Sequence, residues 1–91
     1  MEATKFLSEA SKIMKQRGKT YDKSNKERSM GRTVEAFNAI TGKDLTEPEG
    51  WLLMSLLKQV RQFTNEEYHK DSALDGVAYS ALLAEALSEN A

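Results

Sequence analysis

Two polar groupings interrupt a chain whose apolar residues otherwise recur at helical spacing. Lys58 and Arg61 stand at i and i+3 within the most apolar stretch, Trp51 to Phe63. A cation in such a stretch is costly unless it is paired or lies at the edge of a cavity. Asp71 and Asp75 stand at i and i+4, on one face of the first turn of the next helix. The simplest arrangement pairs Lys58 or Arg61 with Asp71 or Asp75. The alternative leaves the four groups lining a polar pocket that holds a charged ligand.

A third grouping is Glu27-Arg28-Ser29-Met30-Gly31-Arg32-Thr33. Arg28 and Arg32 share a helix face near the positive end of the second helix, an arrangement suited to phosphate or carboxylate oxygens. Ser24, Ser29 and Thr33 add hydroxyl donors, while Glu27 and Glu35 offer the arginines ordinary solvent-exposed partners. Tyr21 and Tyr68 fall in connectors, where a ring can stack on a base or anchor a partner. Tyr79 reads as a core or interface ring.

Several chemistries are excluded outright. The chain has no cysteine and one histidine, His69. It therefore offers no disulfide, thiolate zinc site, iron–sulfur cluster, cysteine nucleophile or multi-histidine metal site. No serine–histidine–aspartate set, glycine-rich phosphate loop or metalloprotease motif is present, and no cofactor is implied. The basic residues scatter over two helices and a loop, which argues against a sequence-specific DNA binder. No apolar run approaches the roughly 20 residues of a membrane span. The N-terminus lacks the pattern of a signal peptide, so the expected location is the cytoplasm.

The elements that must position these groups are helices. Phe6, Leu7, Ala10, Ile13 and Met14 mark a first amphipathic helix over about 3–17, closed by Arg17-Gly18. Ser24 and Glu27 have capping-box spacing and open a second helix over 25–41, with Met30, Val34, Phe37 and Ile40 on one face. Gly42 stops it. Gly31, inside this helix, permits close approach of a neighbouring backbone or a ligand, although ordinary tight helix packing is the commoner reason for such a glycine. Thr46-Glu47-Pro48-Glu49 is a second capping box, opening a third helix over 47–64. That helix is apolar on nearly every side and is therefore expected at the centre. Asp71 or Ser72 caps a fourth helix over 72–88, with Leu74, Val77, Ala78, Ala81 and Leu82 facing inward. Gly76, Ser80 and Ala84 form a small-residue stripe that admits a neighbouring helix.

The fold expected is all-α: one small antiparallel bundle of about four helices in a single domain of 91 residues. A chain this short buries little core, so a homo-oligomer is expected. The net charge of −1 conceals a division. Residues 1–32 carry nine basic against four acidic side chains, and the remainder four against ten. Such asymmetry suits an anion-facing N-terminal third, head-to-tail packing of subunits, or simply two oppositely charged solvated faces.

The runs Glu27 to Gly42, Glu49 to Arg61 and Asp71 to Tyr79, with their E-R-S-M-G and D-G-x-A-Y blocks, resemble a family of small phage and prophage proteins. The likeness covers residues 10–86 and implies a phage accessory protein acting in the bacterial cytoplasm. A more distant likeness is to the all-α nucleoside triphosphate pyrophosphohydrolases of the MazG type. Those enzymes hold magnesium through E-x-x-E and E-x-x-D motifs, as magnesium demands oxygen ligands. Here Lys58 and Arg61 stand where acids would be wanted, and Asp71 and Asp75 have a different spacing. The expectation is a non-enzymatic phage protein that counters a host defence system or host enzyme by binding. It would sequester a phosphorylated, nucleotide-like ligand with Arg28, Arg32, Lys58 and Arg61 on phosphate and Tyr21 or Tyr68 on the base. Alternatives are an anti-CRISPR-type inhibitor docking on a host defence protein or ribonucleoprotein, and a metal-dependent pyrophosphohydrolase using Asp71 and Asp75.

Overall fold

A computed structural model describes residues 1–21 and 29–89, with side chains described for 1–17 and 29–89. It contains four helices: α1 (Ala3–Tyr21), α2 (Ser29–Thr41), α3 (Glu47–Thr64) and α4 (Lys70–Glu89). No strand occurs among the described residues. The Ser24–Glu27 capping box and the expected start of the second helix at residue 25 lie outside the described residues.

Local chemistry accounts for most of the helix ends. Thr46 caps α3: its hydroxyl accepts from the Glu49 N–H at 3.3 Å, and the Glu49 carboxylate accepts from the Thr46 N–H at 2.9 Å. The reciprocal bonds satisfy two donors that a helix start leaves orphaned. Gly42 follows α2 with φ of 70° and donates its N–H to Asn38 O. Left-handed backbone of this kind favours glycine and closes a helix. Asn38 then fixes the connector, accepting from the Leu45 N–H at 2.8 Å and donating to its carbonyl at 2.9 Å.

Two ends differ from the sequence expectation. α1 continues through Gly18 to Tyr21, so Arg17-Gly18 is helix interior and not a terminus. The cap of α4 is neither Asp71 nor Ser72 but His69. In the tautomer protonated at Nε2, its Nδ1 accepts from the Ser72 N–H at 3.2 Å and from the Ser72 hydroxyl at 2.7 Å. An imidazole nitrogen thus does what a serine or aspartate oxygen does at most helix starts. Gln62 braces the same turn, its carbonyl accepting from the His69 N–H at 2.9 Å.

The helices pack in the spatial order α2, α3, α4, α1. Among the described residues α1 lies on α4 alone and α2 on α3 alone, so the bundle is an open row rather than a closed barrel of helices. The core gathers where α3 and α4 meet. Trp51, Leu82 and Ala86 are buried there, with Met14, Met30, Met54, Tyr79 and Leu83 packed around them. Trp51 and Tyr79 stack with ring centroids 5.8 Å apart, within the range that favours offset aromatic pairs.

Close approach of α2 and α3 occurs at Gly50, not at Gly31. A Cβ on Gly50 would come within 2.5 Å of Met30 Sδ and 3.1 Å of Val34 Cγ2. At Gly31 the nearest such contact is the Glu47 carboxylate at 3.8 Å, which is ordinary packing. Nor is α3 enclosed. It buries Pro48, Gly50, Trp51 and Ser55 but exposes Leu52, Leu53, Leu56, Leu57, Val60 and Phe63, because only α2 and α4 lie against it. On α4, Leu74, Ala78 and Leu82 face inward, Val77 is half-buried and Ala81 is exposed.

Candidate functional site

Lys58 is the cation that the packing of α3 forces toward its neighbour. It lies one helical turn beyond Ser55 and two beyond Trp51, on the face that meets α4. Its ammonium sits 3.1 Å from Asp75 of α4 and 5.9 Å from the centroid of the Tyr79 ring. Asp75 also meets the Arg17 guanidinium of α1 at 3.6 Å. The Lys58 and Asp75 side chains are 12% and 17% exposed, and that of Arg17 is 50% exposed. Three helices therefore converge on one carboxylate. Two cations share it, so among the described residues this trio carries one more positive charge than negative.

Beside the cluster runs a groove of about 550 Å³ between α1, α3 and α4. Its floor is α4, where Ala73, Gly76, Val77, Ser80 and Ala81 are all small or slender. Leu7 of α1 and Phe63 of α3 form walls, and Lys58 and Gln59 line the side nearest the ion cluster. Gly76 and Ser80 of the small-residue stripe thus line the groove, Gly76 with α3 beside it, since a Cβ there would lie 3.9 Å from Lys58 Cβ. Ala84 is exposed and lies outside the groove lining. Gln62 also lines it, but its side-chain amide is spent on Glu67 O and the His69 N–H.

Of the residues singled out from the sequence, the structure brings together Lys58 and Asp75. Arg61 is exposed on α3, one turn beyond Lys58, and has no ion pair with Asp75. Asp71 is exposed in the first turn of α4. Arg32 is exposed on α2, a helix that touches neither α4 nor α1, so it is not brought to the cluster. Tyr68 is 65% exposed in the α3–α4 connector. Arg28 lies outside the described residues. Tyr21 ends α1, and its side chain is likewise outside the description. No group of three or more metal-ligating side chains gathers among the described residues.

Sequence reasoning missed Arg17, which it read as the closing cation of the first helix. Arg17 stands three residues after Met14 and seven after Ala10, on the face of α1 that meets α4, and this brings it to Asp75. It also missed the groove, although a signal existed. The small residues 73, 76, 77, 80 and 81 recur at the i, i+3/i+4, i+7/i+8 spacing of one helix face.

Residues 5–87 match a protein family described as a domain of unknown function, DUF6378. The chain is a member of the DUF6378 family. That match spans all four helices of this DUF6378 protein, including the Arg17–Asp75–Lys58 cluster and the groove. No curated protein and no solved structure matches the chain.

Proposed function

We propose that this protein is a binding module rather than a catalyst, and that it captures a phosphorylated, nucleotide-like ligand beside the Arg17–Asp75–Lys58 cluster. The observation that carries this reading is the uneven charge count there. Arg17 and Lys58 both reach Asp75, at 3.6 and 3.1 Å, and one carboxylate neutralises one cation. A phosphate group takes the surplus, and a compact apolar body fits the small-residue floor of the adjoining groove. Asp75 supports the non-catalytic half of the reading. A carboxylate committed to two cations is poorly placed to give its oxygens to magnesium. In the phage setting implied by the sequence resemblance, such capture would withhold a signal or metabolite from a host defence.

The test is a thermal-shift and equilibrium-dialysis panel of nucleoside mono-, di- and triphosphates and cyclic nucleotides at fixed ionic strength, with sulfate as control. A ligand at about 100 times its Kd stabilises by about 2.7 kcal/mol, which in a chain this size raises Tm by roughly 10 °C or more. Lys58→Met, which leaves Asp75 paired with Arg17, should abolish the shift while keeping the helical circular dichroism. Silence across the panel would overturn the reading, as would a shift that Lys58→Met leaves intact.

A further inference from the structure

We propose that the outward face of α3 is a homodimer interface, covered by the same face of a second copy of this chain. Leu53, Leu56, Val60 and Phe63 recur at spacings of three, four and three along α3, the repeat by which apolar seams pack helix on helix. They are 61%, 45%, 57% and 88% exposed, and Leu52 and Leu57 flank them at 46% and 38%. Among the described residues nothing covers them. The seam points roughly opposite to Trp51, Ser55 and Lys58, which face α4, and α1 does not reach α3.

The areas fit one occupant. Together the six side chains expose on the order of 600 Å² of apolar surface, at the upper end of what a monomer leaves in its largest patch. That is most of the roughly 800 Å² per partner that a standard interface buries. No large side chain among the described residues is fully buried. The missing core is the half that a second α3 would bring. Two-fold pairing is self-complementary: an apolar stripe meets an identical stripe without any second surface being required. Phe63 belongs to both the seam and the groove wall, so pairing would also fix one wall of the proposed ligand site. The dimer itself stands independently of any ligand.

The absence of cysteine from the chain makes the test clean. Sedimentation or light scattering of the wild type at tens of micromolar should give a particle of roughly 20 kDa, twice the 10.2 kDa chain. Leu56→Lys and Val60→Lys should each return it to chain mass with helicity retained, a loss of at least tenfold in dimer affinity. Ile40→Lys, at an 85% exposed site on α2, should leave the dimer intact. Leu56→Cys and Val60→Cys keep the seam apolar and cover the case in which the lysine variants unfold. At least one of them should oxidise to a disulfide-linked dimer at least tenfold faster than Ile40→Cys. A wild type of chain mass would overturn the proposal. So would a dimer that survives both lysine substitutions, or cross-linking no faster in the seam than at residue 40. Ligand binding by a monomer would sink the dimer and spare the capture reading; a ligand-blind dimer would do the reverse.

Discussion

The charge on Glu49 matters because Thr46 stands three residues before it. Glu49 is fully exposed, yet its carboxylate is held below the ordinary glutamate range, first by the Thr46 backbone N–H and then by the Thr46 side chain. A carboxyl depressed in the folded state stabilises the fold above its unfolded pKa of about 4.3, and that contribution is lost as pH falls through the folded value. Glu49→Gln keeps a side-chain acceptor for the cap but removes the titrating charge. Its Tm should therefore lie slightly below the wild type from pH 7 to about 5, and the gap should close in more acid solution. A gap that persists unchanged to pH 3 would show that the charge contributes nothing. This cap was legible because both partners lie within four residues and use side chains that do little else. The pairing of Lys58 with an aspartate of the next helix was legible as one of four combinations. Arg17 was not, because a cation before a glycine reads locally as a helix end, and only the packing of α1 on α4 brings it to Asp75. The cap by His69 was hidden for a related reason: imidazole is an uncommon helix-start acceptor, and Ser72 nearby is a common one.

At the scale of elements, the two glycines of the α2–α3 contact make opposite predictions. Alanine in place of glycine inside a helix gains up to about 1 kcal/mol. At Gly50 that gain meets a clash, since the new methyl would press on Met30 and on Val34, whose branched side chain is stiff. Overpacking of this kind costs about 1–3 kcal/mol. Gly50→Ala should therefore be neutral to destabilising by about 2 kcal/mol, whereas Gly31→Ala, which would meet only the Glu47 carboxylate at an ordinary 3.8 Å, should stabilise by about 0.5 kcal/mol. Chemical denaturation of both variants decides the matter, and a more stable Gly50→Ala would refute the close approach. The sequence singled out Gly31 and passed over Gly50 for a physical reason. Helix propensity marks every interior glycine alike, and only the register of α2 on α3 selects the one that matters. Hydrophobic periodicity likewise located all four helices but overstated the burial of α3. An apolar face reads the same whether its partner lies within the chain or outside it.

The order α2, α3, α4, α1 leaves α1 at one end of an open row, held by a single neighbour. Its apolar attachment is modest: Ala10 is buried, but Phe6, Ile13 and Met14 are half-buried and Leu7 is exposed. The rest of its hold on α4 is electrostatic. Arg17 meets Asp75 at 3.6 Å and Glu9 meets Lys70 at 3.9 Å, and partly exposed pairs of this kind contribute about 0–1 kcal/mol each. The division of charge along the sequence works in the same direction, setting a basic first third against an acidic remainder. Attraction between exposed charges weakens as the screening length falls from about 10 Å at 0.1 M salt to about 3 Å at 1 M. α1 should therefore open before the α3–α4 pair does, as the weakly packed part of a fold generally does. Hydrogen exchange should show its amides less protected than those around Trp51 and Leu82. Raising salt from about 0.1 to 1 M should quicken exchange in α1 severalfold while leaving α3 and α4 nearly unchanged. Uniform protection across the four helices, or a salt response shared equally by all of them, would mean that α1 is bound by packing and not by charge. In the expected case, opening of α1 withdraws Arg17 from Asp75 and Leu7 from the groove together. A phosphorylated ligand bridging the cluster should then slow exchange in α1 above all, because it replaces the attraction that salt removes.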